Sequence, residues 1–170
     1  DPNQASKVYA ADGRLITDLG LERRTVVPLN EMSPFVKAAF ITTEDKRFYE
    51  HQGLDYRGIG RALTANLRAG VVAQGGSTIT QQVAKSFLTT ERTLQRKIRE
   101  AILARRLETR FTKRDILTLY LNHIYLGSGA YGVAAAADEY FGKSIEDLTL
   151  SESALLAGLP QAPSRYSPYK

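Results

Sequence analysis

Helix-opening signals recur from residue 33 onward and leave room for little besides helices. Ser33-Pro34 is an N-cap followed by a first-turn proline, and Asp55 can cap a second helix. Thr78 with Gln81, Thr112 with Asp115 and Thr149 with Glu152 read as capping boxes, while Thr90 precedes a long helix over residues 91–110. Gly70, Gly127-Ser128-Gly129, Gly158 and Pro160 are the matching stops. Apolar residues fall at helical spacing between these marks: Phe35, Val36, Ala39 and Phe40, then Ile59, Leu63 and Leu67, then Leu94, Ile98, Ala101 and Ile102 as the expected buried stripe of the long helix. Further helices are expected from Thr78 to about residue 87 and over residues 116–126, 133–141 and 151–156. Ahead of them, residues 6–18 alternate weakly around Asp12-Gly13, which suggests a short β-hairpin. The expected fold is mainly α, with an N-terminal hairpin segment over residues 1–22 and one domain over residues 23–170.

Composition narrows the function classes. At 170 residues, 43% hydrophobic and 24% charged, the chain is an ordinary packed domain and neither disordered nor a rod. It has no cysteine, which removes disulfide frameworks, thiolate zinc sites and thiol catalysis. Lys and Arg number 23 against 18 acids, a net charge of +5 that favours anionic partners such as nucleic acid, acidic lipid headgroups or phosphorylated substrates. No apolar run approaches the roughly 20 residues of a membrane-spanning helix. The chain opens on Asp1 and closes after a Pro-rich tail, so a piece of a longer protein is expected.

Several segments have the residue types for chemistry, and each also has a plain structural reading. Glu44 and Asp45 stand where the apolar run Ala38-Ala39-Phe40-Ile41 ends, ahead of Lys46, Arg47, Phe48, His51 and Gly53. A carboxylate beside apolar groups loses hydration and becomes a base near neutrality, whereas a solvated helix end would only make local ion pairs. Gly75-Gly76-Ser77-Thr78 with Gln81 and Gln82 gathers backbone N–H groups, hydroxyls and carboxamides at one helix start, with Lys85 a turn further on. That is either an anion site or a capped helix, and it lacks the glycine spacing of a nucleotide-binding P-loop. Arg92, Arg96 and Glu100 are spaced by four with Lys97 beside them, forming either an exposed ion-pair ladder or a grip for a diphosphate. Tyr120, Asn122 and Tyr125 suit sugar contacts, and core packing explains the two tyrosines equally well. The Ser-x-x-Lys of residues 167–170 has no accompanying Lys-Thr-Gly and is treated as chance.

In this order the segments closely resemble the peptidoglycan glycosyltransferases of glycosyltransferase family 51, over about residues 23–168. The resemblance rests on Glu44-Asp45 with Phe48, His51 and Gly53, on Gly75 to Gln82 with Lys85, and on Arg96-Lys97 with Glu100. It extends through Ile116-Leu117, Tyr120-Leu121-Asn122, Tyr125-Leu126-Gly127 and Ala154-Leu155-Leu156-Ala157-Gly158. It implies a lysozyme-like, two-lobed helical fold with a substrate cleft, and polymerisation of lipid II into β-1,4 glycan with inversion and release of undecaprenyl diphosphate. Glu44 is implied as the catalytic base and Glu100 as the second essential acid. Asp45, Arg47, Phe48, His51, Gly53, Arg61, Gly76, Ser77, Thr78, Gln81, Gln82, Lys85, Arg92, Arg96 and Lys97 are the implied substrate-binding residues. No essential cofactor is implied, although a divalent cation, Mg or Mn, could assist at Glu100. The implied partners are lipid II, the growing glycan and the membrane surface, with a linked transpeptidase domain and an N-terminal membrane anchor in the full protein and no nucleic acid. The implied location is the outer face of the bacterial cytoplasmic membrane. The rival expectations are a cell-wall hydrolase and a non-enzymatic basic module.

Overall fold

The computed structural model describes residues 6–9, 15–19, 23–70, 76–88 and 93–166. Within them, β1 (Ser6–Tyr9) pairs antiparallel with β2 (Leu15–Leu19), as a hairpin requires. The turn at Asp12-Gly13 lies outside the described residues, as do Gly75, Val71, Thr90, Arg92 and residues 167–170. The short β3 (Arg23–Arg24) pairs in parallel with β4 (Ala130–Tyr131). All other regular structure is helical: α1 (Pro34–Glu44), α2 (Tyr56–Ala69), α3 (Ile79–Ser86), α4 (Leu94–Arg110), α5 (Lys113–His123), α6 (Val133–Phe141), α7 (Leu150–Gly158), α8 (Pro163–Tyr166) and three short 3-10 turns.

The caps hold as the sequence reading expects. Asp55 accepts from Gly58 N, Thr78 and Gln81 form a reciprocal capping box, and so do Thr149 and Glu152. Thr112 and Asp115 bond each other's backbone N–H at the start of α5. Each satisfies helix N–H groups that have no intrahelical acceptor. The long helix differs: Thr93, three residues after the expected Thr90, caps α4 by accepting from Arg96 N. The helix of residues 116–126 is also displaced, starting at Lys113 and ending at His123, four residues before Gly127.

The chain divides into two compact units, one of Asp1–Ala39 with Leu121–Lys170 and one of Phe40–Tyr120. In the first, Val36, Leu121, Leu126, Val133, Ala136, Leu156 and Leu159 are buried. There Asn122 binds the backbone of Val27 twice, accepting from its N–H at 2.8 Å and donating to its carbonyl at 2.9 Å. Asn122 thus clamps the Val27 backbone in place. In the second unit Phe40, Phe48, Ile79, Ala84, Ala104, Ile116, Leu117 and Tyr120 form the core. The expected buried stripe of α4 is the main correction. Leu94 is 78% exposed, Ile98 54% and Ile102 50%, while the inward face has Glu100 and Ala104. Phe35 of α1 is likewise exposed. The periodicity identified an apolar face, but no element among the described residues covers it.

Candidate active site

Helix α3 organises the second unit because four consecutive residues at its start bind two other segments, the end of α1 and α4. Its Ile79 N–H donates to Asp45 Oδ2 at 3.0 Å, and Thr80 Oγ1 donates to Glu108 Oε1 at 2.6 Å. Gln81 Nε2 approaches Glu100 Oε1 at 3.4 Å, and Gln82 Nε2 donates to Glu44 Oε2 at 2.7 Å. Both acids singled out in the sequence are therefore tied to neighbouring side chains of one helix. With 3.6 residues per turn, Lys85 projects about 40° around the axis from Gln81 and about 60° from Gln82, between the two. Lys85 is exposed, and its ammonium has no ion-pair partner among the described residues.

Glu44 ends α1 and is half-buried, with Oε1 closed to solvent and lacking a hydrogen-bond partner among the described residues. Burial pushes its carboxyl above the ordinary glutamate range, the bond from Gln82 pulls it partly back, and the charge of Asp45 adds to the rise. Glu100 sits differently. It is 2% exposed, and its oxygens take an ion pair from Arg96 Nη1 at 3.0 Å and a short one from Lys97 Nζ. A buried carboxylate persists only when so compensated. Lys97 also donates to Ser77 Oγ at 2.9 Å, which brings the start of α3 to the same cations.

Other predicted site residues support this arrangement from within. Asp45 is buried and holds His51 Nε2 at 2.9 Å as well as the α3 N-terminus, so its carboxylate is committed internally. Phe48 is fully buried, edge-on to His51, with Lys113 Nζ 4.4 Å from its ring centroid. Gly53 has φ +87°, and a Cβ there would lie 2.9 Å from the Ala104 carbonyl of α4, so only glycine fits. Its carbonyl accepts from Thr78 Oγ1 at 2.6 Å, and Thr78 is buried too. Asp45, Phe48, Gly53 and Thr78, expected as substrate contacts, are buried and engaged by packing or hydrogen bonds within the second unit. Arg47 pairs with Glu50 and Asp55, beside a surface groove of about 550 Å³ that neither Glu44 nor Glu100 lines. Gly76 packs on Ile59 and Ala62 of α2, and Arg61 is exposed on that helix.

The model of the family described as transglycosylase matches residues 12–170. The chain belongs to the transglycosylase family. It is 55% identical over 169 residues to penicillin-binding protein 1A of Aquifex aeolicus (strain VF5), covering 99% of this chain and 23% of that protein. With penicillin-binding protein 1A of Escherichia coli (strain K12) the identity is 55% over 163 residues, covering 95% and 19%. The crystal structure of penicillin-binding protein 1A from Haemophilus influenzae superposes with TM-score 0.49 and 31% identity, covering 98% of this chain and 16% of that one. The chain thus spans about a fifth of the length of the curated relatives it matches.

As a transglycosylase the chain is an enzyme, a glycosyltransferase. The site offers it a carboxylate made basic by burial, an unpaired ammonium on the adjoining helix face, and two further cations anchored by a buried acid. A divalent cation does not fit as placed. Both Glu100 oxygens are engaged by cations, and no group of three His, Cys, Asp or Glu side chains among the described residues is arranged to hold a metal. Thr80, Glu108 and Lys113 escaped the sequence reading. Glu108 accepts from Thr80 and from Lys113 at 2.7 Å, braced across distances in sequence that no local pattern marks.

Proposed function

We propose that the chain polymerises lipid II into β-1,4-linked glycan, with inversion and release of undecaprenyl diphosphate, in bacterial cell-wall synthesis. The observation that carries this reading is the placing of Lys85 on the α3 face between the glutamines that hold Glu44 and Glu100. Glu44 takes the proton of the acceptor sugar's 4-hydroxyl as its oxygen attacks the donor's anomeric carbon. The carbon–oxygen bond to the lipid diphosphate breaks, and its electron pair leaves with that group. Attack opposite an α-linked leaving group gives a β product in one displacement, with no covalent enzyme intermediate. Lys85, Arg96 and Lys97 meet the negative charge that develops on the diphosphate, and Glu100 keeps the latter two in place.

The identity with penicillin-binding proteins of four to five times its length supports a linked transpeptidase domain and a membrane anchor in the full protein, on the outer face of the cytoplasmic membrane. No helix among the described residues is long and apolar enough to cross a membrane. The open apolar side chains of α2 support contact with the bilayer surface, since Leu63 and the 74%-exposed Leu67 accompany exposed Arg57, Arg61 and Arg68. The test is incubation with lipid II and, separately, with purified glycan strands. Polymer and free undecaprenyl diphosphate from the first, with no cleavage of the second, is the expected result. Strand cleavage without polymerisation would instead make the chain a hydrolase.

A further inference from the structure

Besides His51 Nδ1 and Arg96 Nε, two buried polar atoms of the second unit lack any hydrogen-bond partner among the described residues: Glu44 Oε1 and the hydroxyl of Tyr120. They lie on facing elements. The Tyr120 ring, on α5, meets Phe40 of α1 edge-on, with centroids 6.1 Å apart and planes at 72°. Glu44 is four residues beyond Phe40, one turn along the same face of α1. The Glu44 charge reaches the phenol as well: burial first, then that carboxylate, pushes the Tyr120 hydroxyl far above its ordinary value, so it stays a protonated donor. A buried donor and a buried acceptor, each otherwise unmatched, have a strong reason to meet.

We propose that Tyr120 is a positioning residue for Glu44: its hydroxyl donates to Oε1 while Gln82 donates to Oε2, so that the carboxylate is held from both sides. A direct bond and a single bridging water give the same electrostatic link. The proposal rests on the reading of Glu44 as base and adds what sets its proton affinity. A donor to the charged form favours that form, so losing the hydroxyl should leave Glu44 easier to protonate. The other groups acting on Glu44 are Asp45, which follows it, and the neutral Gln82 from α3. Neither of them is altered by a change at Tyr120.

Tyr120→Phe keeps the ring against Phe40 and removes only the oxygen. The experiment follows lipid II polymerisation against pH for wild type and Tyr120→Phe, and titrates the Glu44 carboxyl by its 13C shift, identified by its loss in Glu44→Gln. The acid limb of kcat should move upward by roughly one pH unit. The Glu44 carboxyl should titrate higher by the same amount, and kcat should fall about tenfold with KM little changed. A purely structural role would lower the melting temperature and leave both titrations where they were, which overturns the proposal, as does movement of either toward lower pH. If Glu44→Gln still polymerises lipid II, the base assignment falls instead. The carboxyl titration needs no turnover and decides the hydrogen bond in that case and in the case of an inactive Tyr120→Phe.

Discussion

Glu44 combines two demands that oppose each other. Its carboxyl gains basicity from burial, and the same burial disfavours its charged form in the folded chain. The folded state therefore binds a proton more tightly than the unfolded state, and stability declines as pH rises from the ordinary glutamate value through the raised folded one. Glu44→Gln removes that titration. Thermal unfolding should show the variant at least as stable as wild type at pH 7, with the advantage shrinking as pH falls through the raised folded value to about 4.3 and constant below it. Equal differences at both pH values would mean that burial does not set the proton affinity. Gly53 packs against α4 and accepts from Thr78 at the start of α3. Gly53→Ala forces a Cβ onto the Ala104 carbonyl at a positive φ, and should destabilise the chain by about 2 kcal/mol in denaturant unfolding.

Helix α3 shows which features of an element can be read locally. Its capping box was legible because Thr78 and Gln81 act within one turn, and the boxes of α5 and α7 were legible for the same reason. What α3 binds was not legible: Gln82 reaches Glu44 across 38 positions and Thr80 reaches Glu108 across 28. Helix α4 shows the complementary failure. Leu94, Ile98 and Ile102 form a regular stripe, but spacing cannot tell a face turned to a core from one left open, and Glu100 holds the inward side. The apolar faces of α2 and α4 then imply a shared outcome. Replacing Leu63 and Leu67 by Asp should leave the melting temperature within about 1 kcal/mol equivalent of wild type, since neither side chain is buried. The same change should weaken co-sedimentation with anionic vesicles and slow polymerisation at the vesicle surface. Unchanged vesicle binding would remove α2 from the membrane contact.

For the whole chain, charge and family both support the proposed anionic substrate. A net charge of +5 points to an anionic partner without naming it. The transglycosylase family supplies the reaction type, and in the proposed reaction the cations beside Glu100 meet the diphosphate. Lys85 should prove the sensitive member, because it is not already neutralised: Lys85→Ala should lower both lipid II affinity and turnover, each by about tenfold. Arg96 and Lys97 have a double duty, so their loss would also strip the buried Glu100 of compensation and reduce stability. The most direct measurement compares Glu44→Gln with wild type for lipid II binding and for glycan formation in parallel. Binding within a few fold of wild type with polymer abolished is expected. Polymer formed at a comparable rate by the variant would contradict a mechanism in which the Glu44 carboxylate removes the acceptor's proton.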